Sequence, residues 1–210
     1  LWRFRQEVVI NEYIPIKSSY ILQLHQVLYR YSQKSIGGKF KNTQNYIAEI
    51  NQNGDQIVRF MPLDPIETPI AIEAICESFN REIDSCEINP LILIPAFIID
   101  FLCIHPFNDG NGRMSRLLTT LLLYRAGYVV GKYVSLESKI EKTKASYYEA
   151  LEKSDINWNA EGNDITPFIK YILGTVLAAY RDFEERVAMV EGNISSLDLV
   201  RNAVNNTIGK

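Results

Sequence analysis

From Leu91 to Ile104 the chain carries a single charge, Asp100, in an otherwise apolar run. Such a segment is stable in water only when other elements cover it on nearly all sides. The pattern therefore predicts a central core helix, opened by the start signal Asn89-Pro90. Pro95 falls within its first two turns, where a kink is expected. The run is too short and too interrupted to span a bilayer. A second apolar stretch, Leu117 to Tyr124, reads as another core helix stopped by Gly127 at its C-terminal cap. The chain between these two segments is thus pinned at both ends.

That stretch reads His105-Pro106-Phe107-Asn108-Asp109-Gly110-Asn111-Gly112-Arg113-Met114-Ser115-Arg116. A bare connection needs a turn, not a titratable base, an acid and two guanidiniums. Gly110-Asn111-Gly112 can bring backbone N–H groups close to a ligand, because glycine has no Cβ to block the approach. Helical periodicity starts at about Arg113, so these groups would lie at a helix N-terminus, where unpaired donors and the helix dipole favour an anion. Arg113 and Arg116, three apart, share a helix face and can both reach phosphate oxygens. Asp109 is placed to hold a hard cation such as Mg²⁺, which takes one or two carboxylates plus substrate phosphates. His105 can act as a general base near neutral pH. Phe107 is expected to anchor the loop in the core. The set reads as a site for phosphoryl or nucleotidyl transfer.

Composition bounds the alternatives. With 210 residues, 47% apolar and 22% charged, the chain can build one sizeable core. A net charge of −3 gives no basic footprint for nucleic acid. Three cysteines without ligand-like spacing point to a reducing, cytoplasmic setting. Two histidines leave little for a dedicated zinc site.

The stretch resembles the signature of the Fic (Fic/Doc, Fido) family, His-x-Phe-x-(Asp/Glu)-Gly-Asn-Gly-Arg-x-x-Arg. His105, Phe107, Asp109, Gly110, Asn111, Gly112, Arg113 and Arg116 match every fixed position. The resemblance implies an all-α fold: a Fic-type helical core with a small β-hairpin flap. It implies AMP transfer from ATP to a Tyr, Thr or Ser hydroxyl of a target protein, with auto-AMPylation as a further outcome. His105 would be the base and Asp109 the Mg²⁺ ligand. Gly110, Asn111, Gly112, Arg113 and Arg116 would bind the nucleotide phosphates. The kinase-type branch of the family has Lys at the second glycine of the turn, so Gly112 favours nucleotide transfer. Two other readings share the motif: removal of AMP or transfer of another phosphate-containing group, and a non-catalytic nucleotide-sensing module of a regulatory protein.

The remaining chain is read around this core. Residues 1–17 are an N-terminal helical extension, 18–175 the Fic domain, and 176–210 a C-terminal helical extension. That extension can lead into a further domain, and nucleic acid becomes a partner only if one follows. Ser18 or Ser19 could cap a helix carrying Ile21, Leu24, Leu28 and Tyr31 on one stripe, with His25 as a structural residue. Alternation over 44–50 and 56–60 around Asn53-Gly54 predicts a hairpin within a flap spanning 38–62. By the resemblance this hairpin, over 44–60, docks the target as an added strand. The flap opens Gly38-Lys39-Phe40-Lys41, with Lys where the family often has Arg. Thr68-Pro69 starts a helix with Ile72, Ile75, Cys76, Phe79 and Ile83 on its stripe. A helix over about 136–153 carries Tyr147 and Tyr148, either of which the resemblance would place near the adenine. Thr166-Pro167 opens a helix to about Met189, and Ser195 or Ser196 a last one over Leu197 to Ile208. No segment fits the family's inhibitory pattern, (Ser/Thr)-x-x-x-Glu-(Gly/Asn). An inhibitory helix is expected outside these residues or on an antitoxin-like partner.

Overall fold

The computed structural model describes residues 15–32, 36–50, 54–160 and 162–193. The expected helices within 1–14 and 197–208, and the Asn53 side of the hairpin turn, lie outside these residues. In chain order the elements are α1 (Ser18–Leu28), β1 (Ile47–Ile50), β2 (Gln56–Phe60), α2 (Thr68–Ser85), α3 (Pro90–Ile104), α4 (Asn111–Arg125), α5 (Leu136–Lys142), α6 (Lys144–Asp155) and α7 (Thr166–Asn193). The fold is all-α with one antiparallel hairpin.

The apolar run forms α3, which packs against α2, α4, α6 and α7. Ile94, Ile98, Ile99, Phe101 and Ile104 are almost fully buried. Its start follows the sequence signal, since Asn89 Oδ1 accepts from the Leu91 N–H at 2.9 Å and Pro90 occupies the first turn. The helix continues through Pro95 to Ile104. α4 also stops where expected. Gly127 adopts φ +88, and the pairs Gly127 N–H to Tyr124 C=O and Tyr128 N–H to Leu123 C=O close a Schellman cap. Among the described residues, no helix is long and apolar enough to cross a membrane. No buried side-chain polar atom among them lacks a partner.

Several boundaries differ from the sequence expectation, each for a local reason. α1 begins at Ser18, with Lys17 extended at its cap, and ends at Leu28. The stripe therefore breaks before Tyr31, which is 89% exposed, and Tyr29 is buried in its place. α2 starts at Thr68 itself, whose hydroxyl donates to the Asp64 carbonyl. β1 starts at Ile47 rather than 44, because Gln44 and Asn45 spend their amides on the carbonyls of Pro62 and Phe107. In the hairpin Ile47 faces Phe60 and Ala48 faces Val58, so Arg59 is an extra residue in a bulge. The helix expected over 136–153 is two helices broken at Thr143. No glycine or proline breaks it. Instead α7 passes alongside, with Thr143 Oγ1 and Tyr171 Oη at 2.8 Å and Lys139 paired to Asp182 at 3.0 Å. α7 crosses position 175 without interruption.

Candidate active site

The motif occupies the turn from α3 into α4, at the end of the most buried helix. His105 is the C-terminal cap of α3 in a left-handed conformation, φ +53 and ψ +62, with its N–H bonded to the Phe101 carbonyl. This conformation turns the chain sharply and is uncommon for a residue with a Cβ. Its Nδ1 lies 3.2 Å from the Leu102 carbonyl oxygen. A carbonyl can only accept, so Nδ1 carries the proton and Nε2 keeps a free lone pair. Burial pushes the imidazole pKa down, the Leu102 hydrogen bond opposes this, and Lys41 adds to the lowering. The neutral form is the base.

Phe107 fills the core beneath the loop, fully buried and stacked on His25 with ring centroids 3.6 Å apart and planes 4° from parallel. His25 holds the loop from below. Its Nδ1 accepts from the Gly38 N–H at 3.1 Å, so Nε2 carries the proton and donates to the Asp109 carbonyl at 3.0 Å. Burial lowers its pKa. This is the structural role expected from sequence, and it ties α1, the Gly38 turn and the motif loop together.

Asn111 has a different emphasis from the one its motif position suggests. Its side chain is buried and closes a ring with Phe107: Oδ1 accepts from the Phe107 N–H at 2.9 Å and Nδ2 donates to the Phe107 carbonyl at 2.7 Å. The amide staples the loop, which leaves the Asn111 backbone N–H for a ligand. α4 starts at Asn111, two residues before the expected Arg113, with Gly110 as its N-cap. The first bond of its ladder runs from the Met114 N–H to the Gly110 carbonyl. The N–H groups of Asn111, Gly112 and Arg113 are therefore the first-turn donors that a helix cannot satisfy itself. Gly110 has φ +91, and a Cβ there would lie 2.9 Å from the Tyr29 hydroxyl. Glycine is required on both counts.

Around this N-terminus stand the charged groups. The Arg113 and Asp109 side chains are about half exposed, 3.7 Å apart. Arg116 lies 3.4 Å from Glu137 in the first turn of α5. Asp109 presents one half-exposed carboxylate, and among the described residues no group of three or more His, Cys, Asp or Glu could hold a metal. That donor set does not suit a resident ion. It suits Mg²⁺, which keeps most of its shell from water and substrate phosphates. Tyr147 is buried against Tyr148, Phe168 and Tyr171, and burial raises its pKa to about 12. Tyr148 is 56% exposed. Of the two, only Tyr148 offers a ring face to solvent.

Three residues at the site lie outside the 105–116 signature, and of them only Lys41, in the flap opening, matches any family pattern. Lys41 is buried, donating Nζ to the Ile104 carbonyl and its N–H to the Pro106 carbonyl, both at 2.8 Å, and burial pulls its pKa down to about 8. It neutralises the carbonyl end of α3 beside His105. Glu137 faces Arg116 only because α5 folds back. Tyr29 was legible in part, since it lies four residues after His25 and so on the same helix face. A cavity of about 610 Å³ opens beside the hairpin, lined by Arg59, Met61, Glu152, Ile156 and Trp158 among others.

The comparisons with known proteins agree with this geometry. A family profile described as Fic/DOC family matches residues 15–123. The protein adenylyltransferase Fic of Culex quinquefasciatus is 30% identical over 165 residues, 77% of this chain and 27% of the relative. Protein adenylyltransferase fic-1 of Caenorhabditis elegans is 26% identical over 162 residues, 77% of this chain and 27% of that protein. The chain thus spans about a quarter of the length of these curated relatives. Among solved structures, a Fic domain containing signaling protein from Bacteroides thetaiotaomicron superposes with a TM-score of 0.66 at 25% identity, covering 84% of this chain and 64% of that one. A Fic family protein from Desulfovibrio desulfuricans gives 0.65 at 25% identity, covering 95% and 61%. With the profile covering just over half of the residues and every fixed position of the signature in place, the chain belongs to the Fic/DOC family.

Proposed function

We propose that this protein transfers AMP from ATP to a Tyr, Thr or Ser hydroxyl of a target protein. The observation that carries the reading is the tautomer of His105. The Leu102 carbonyl holds the proton on Nδ1, and Nε2 is left as a base at neutral pH beside an anion-binding helix N-terminus. A module that only sensed nucleotide would need the donors and arginines but not this base. The names of the relatives, protein adenylyltransferases, support the same reaction.

In the proposed step Nε2 of His105 takes the proton of the target hydroxyl as its oxygen attacks the α-phosphorus. The bond from that phosphorus to the bridging oxygen breaks, pyrophosphate leaves, and AMP remains esterified to the target. The N–H groups of Asn111, Gly112 and Arg113 and the guanidiniums of Arg113 and Arg116 stabilise charge developing on the phosphates. Asp109 would hold the Mg²⁺ that accompanies ATP, and the ion would supply further neutralisation of phosphate charge. Arg116 must exchange Glu137 for phosphate, an exposed pair that costs little to open. The exposed ring of Tyr148 is the surface we assign to adenine. The target docks as a strand beside β1 or β2, supported by the exposed apolar side chains of Tyr46, Ile57 and Val58 on this hairpin. Cys76, Cys86 and Cys103 are free thiols, which supports a reducing, cytoplasmic setting. An inhibitory helix on an antitoxin-like partner would act by holding Arg116 in the same way as Glu137.

The test is a labelling assay with α-labelled and γ-labelled ATP, Mg²⁺ and host lysate, comparing the chain with its His105→Ala variant. Label from the α-phosphate alone, lost in the variant, supports AMP transfer. Label from the γ-phosphate would make the protein a kinase. No label from either, with ATP still bound, would sink the proposed direction of the reaction.

A further inference from the structure

The flap opening is stitched to the motif loop before the hairpin begins. Phe40 lies beside Phe107, with ring centroids 6.2 Å apart. Asn42 accepts from Asn108 at 2.9 Å, Thr43 donates to Asn108 at 3.2 Å, and Asn45 donates to the Phe107 carbonyl at 2.8 Å. Lys41 grips the chain on each side of His105. Its Nζ donates to the Ile104 carbonyl and its backbone N–H to the Pro106 carbonyl, both at 2.8 Å. His105 needs such a grip. It is left-handed, φ +53 and ψ +62, although a residue with a Cβ rarely adopts that region and a following proline pushes the chain toward extended conformations. Such a backbone persists only where its surroundings hold it. Lys41 is 3% exposed, and its ammonium bonds a carbonyl rather than a carboxylate. Burying a charge on these terms is costly, and an apolar side chain of the same length would serve packing alone.

We propose that Lys41 is a positioning residue for the base: its two bonds clamp the chain on either side of His105 in the left-handed turn, which keeps Nδ1 on the Leu102 carbonyl and leaves Nε2 as the base. What that base does rests on the AMP-transfer reading, whereas the hold on the ring does not. The setting of the ring follows from the turn. Nδ1 meets the carbonyl of the residue three positions back in α3, a geometry available only while the chain reverses at His105. The last carbonyls of a helix have no partner within it, and a cation there also meets the negative end of the helix dipole. Nζ supplies both a donor and a charge at Ile104. The bond from the Lys41 backbone N–H to Pro106 survives substitution, so a variant removes the Nζ half of the clamp and leaves the rest of the stitching in place.

Lys41→Met removes the ammonium and nearly keeps the side chain's length. The chain has two histidines, so ¹⁵N spectra of its imidazoles are assigned with His105→Ala and report which ring nitrogen carries the proton. At pH 7.5 the full wild-type chain is expected to show His105 as a single Nδ1–H tautomer, and Lys41→Met a mixture with Nε2–H. Label transfer at saturating ATP should fall on the order of tenfold, the scale of a small misplacement of a reacting group, with calorimetric affinity for magnesium–ATP within about twofold. Lys41→Arg, which restores a cationic donor, should return the single tautomer and bring transfer to within about threefold of wild type. Should Lys41→Met not fold, Lys41→Gln, whose amide is one bond too short, carries the same expectation. A purely structural lysine would lower transfer and ATP affinity together through loss of folded protein, with the tautomer unchanged, and that result would overturn the proposal. So would a wild-type tautomer and rate in both Lys41→Met and Lys41→Gln. A tautomer that depends on Lys41, in a wild-type chain that transfers no label, would overturn AMP transfer and leave the positioning role standing.

Discussion

Two histidines in this chain are held neutral, and the partner of each decides what it can do. His25 spends both ring nitrogens on the backbone, one accepting from Gly38 and one donating to Asp109. His105 spends only Nδ1. The pKa of His105 is lowered by burial, so its base form persists below the ordinary imidazole range near 6.5. The rate of AMP transfer, followed as kcat/KM against pH, should be flat at neutrality and fall only below about 6.5. An acidic limb with its midpoint above that value would contradict this environment for His105. The His105→Ala variant should lose about 10²- to 10⁴-fold in turnover, the usual reach of general base catalysis, with ATP affinity within about threefold. Glycines at this scale are equally specific. Gly110 and Gly54 both have positive φ, but a Cβ at Gly54 meets nothing within 4 Å among the described residues while one at Gly110 strikes Tyr29. Gly54→Ala should cost about 1 kcal/mol from backbone strain, and Gly110→Ala about 2–3 kcal/mol, in urea unfolding. Equal costs would mean that the contact with Tyr29 yields freely.

At the scale of elements, the hairpin is the part least able to stand alone, since two strands are marginal in water. It is fastened at two ends. Asn45, just before β1, bonds the Phe107 carbonyl of the motif loop. The bulged Arg59 reaches Asp155 at the end of α6 with two contacts, 3.0 and 2.9 Å, where the Asp155 side chain is 4% exposed. Removing one member of a buried pair strands the other charge. Arg59→Met is therefore expected to destabilise the chain by about 3 kcal/mol. ATP affinity should be unchanged, while labelling of the target falls if, as proposed, the target docks on this hairpin. Unchanged target labelling in this variant would separate the hairpin from target docking.

The molecule as a whole joins these parts through the stack of Phe107 on His25, which links α1, the Gly38 turn and the α3–α4 connection. Protonating His25 would remove the acceptor for Gly38 and place a charge against a phenyl ring. Both histidines have folded pKa values below their unfolded value near 6.5. The unfolded chain then binds more protons below about pH 6.5, and stability falls as pH drops from there toward the folded values. Denaturant midpoints at pH 7.5 and 5.5 should show this loss, and His25→Gln should reduce it. A midpoint independent of pH over that range would mean that neither histidine is held neutral.

Much of this was legible in the chain itself. Asn89-Pro90 starts α3 and Gly127 ends α4 because both signals are local: an amide, a fixed φ and a missing Cβ act within one turn. The apolar run from Leu91 had to become the central helix because only burial stabilises it. The eight signature residues mark the candidate site, since their types and spacing are fixed by the chain alone. What the tertiary structure decided is which atoms remain free. Asn111 closes on Phe107, and Tyr147 turns into an aromatic cluster while Tyr148 stays outside. A helix breaks at Thr143, where Tyr171 and Asp182 pass beside it. Tyr29, Lys41 and Glu137 reach the motif from separate elements, across 84, 63 and 21 positions of chain. Local pattern encodes propensity and chemistry. Contacts at such separations depend on how helices pack, and packing is set by the whole set of buried side chains at once.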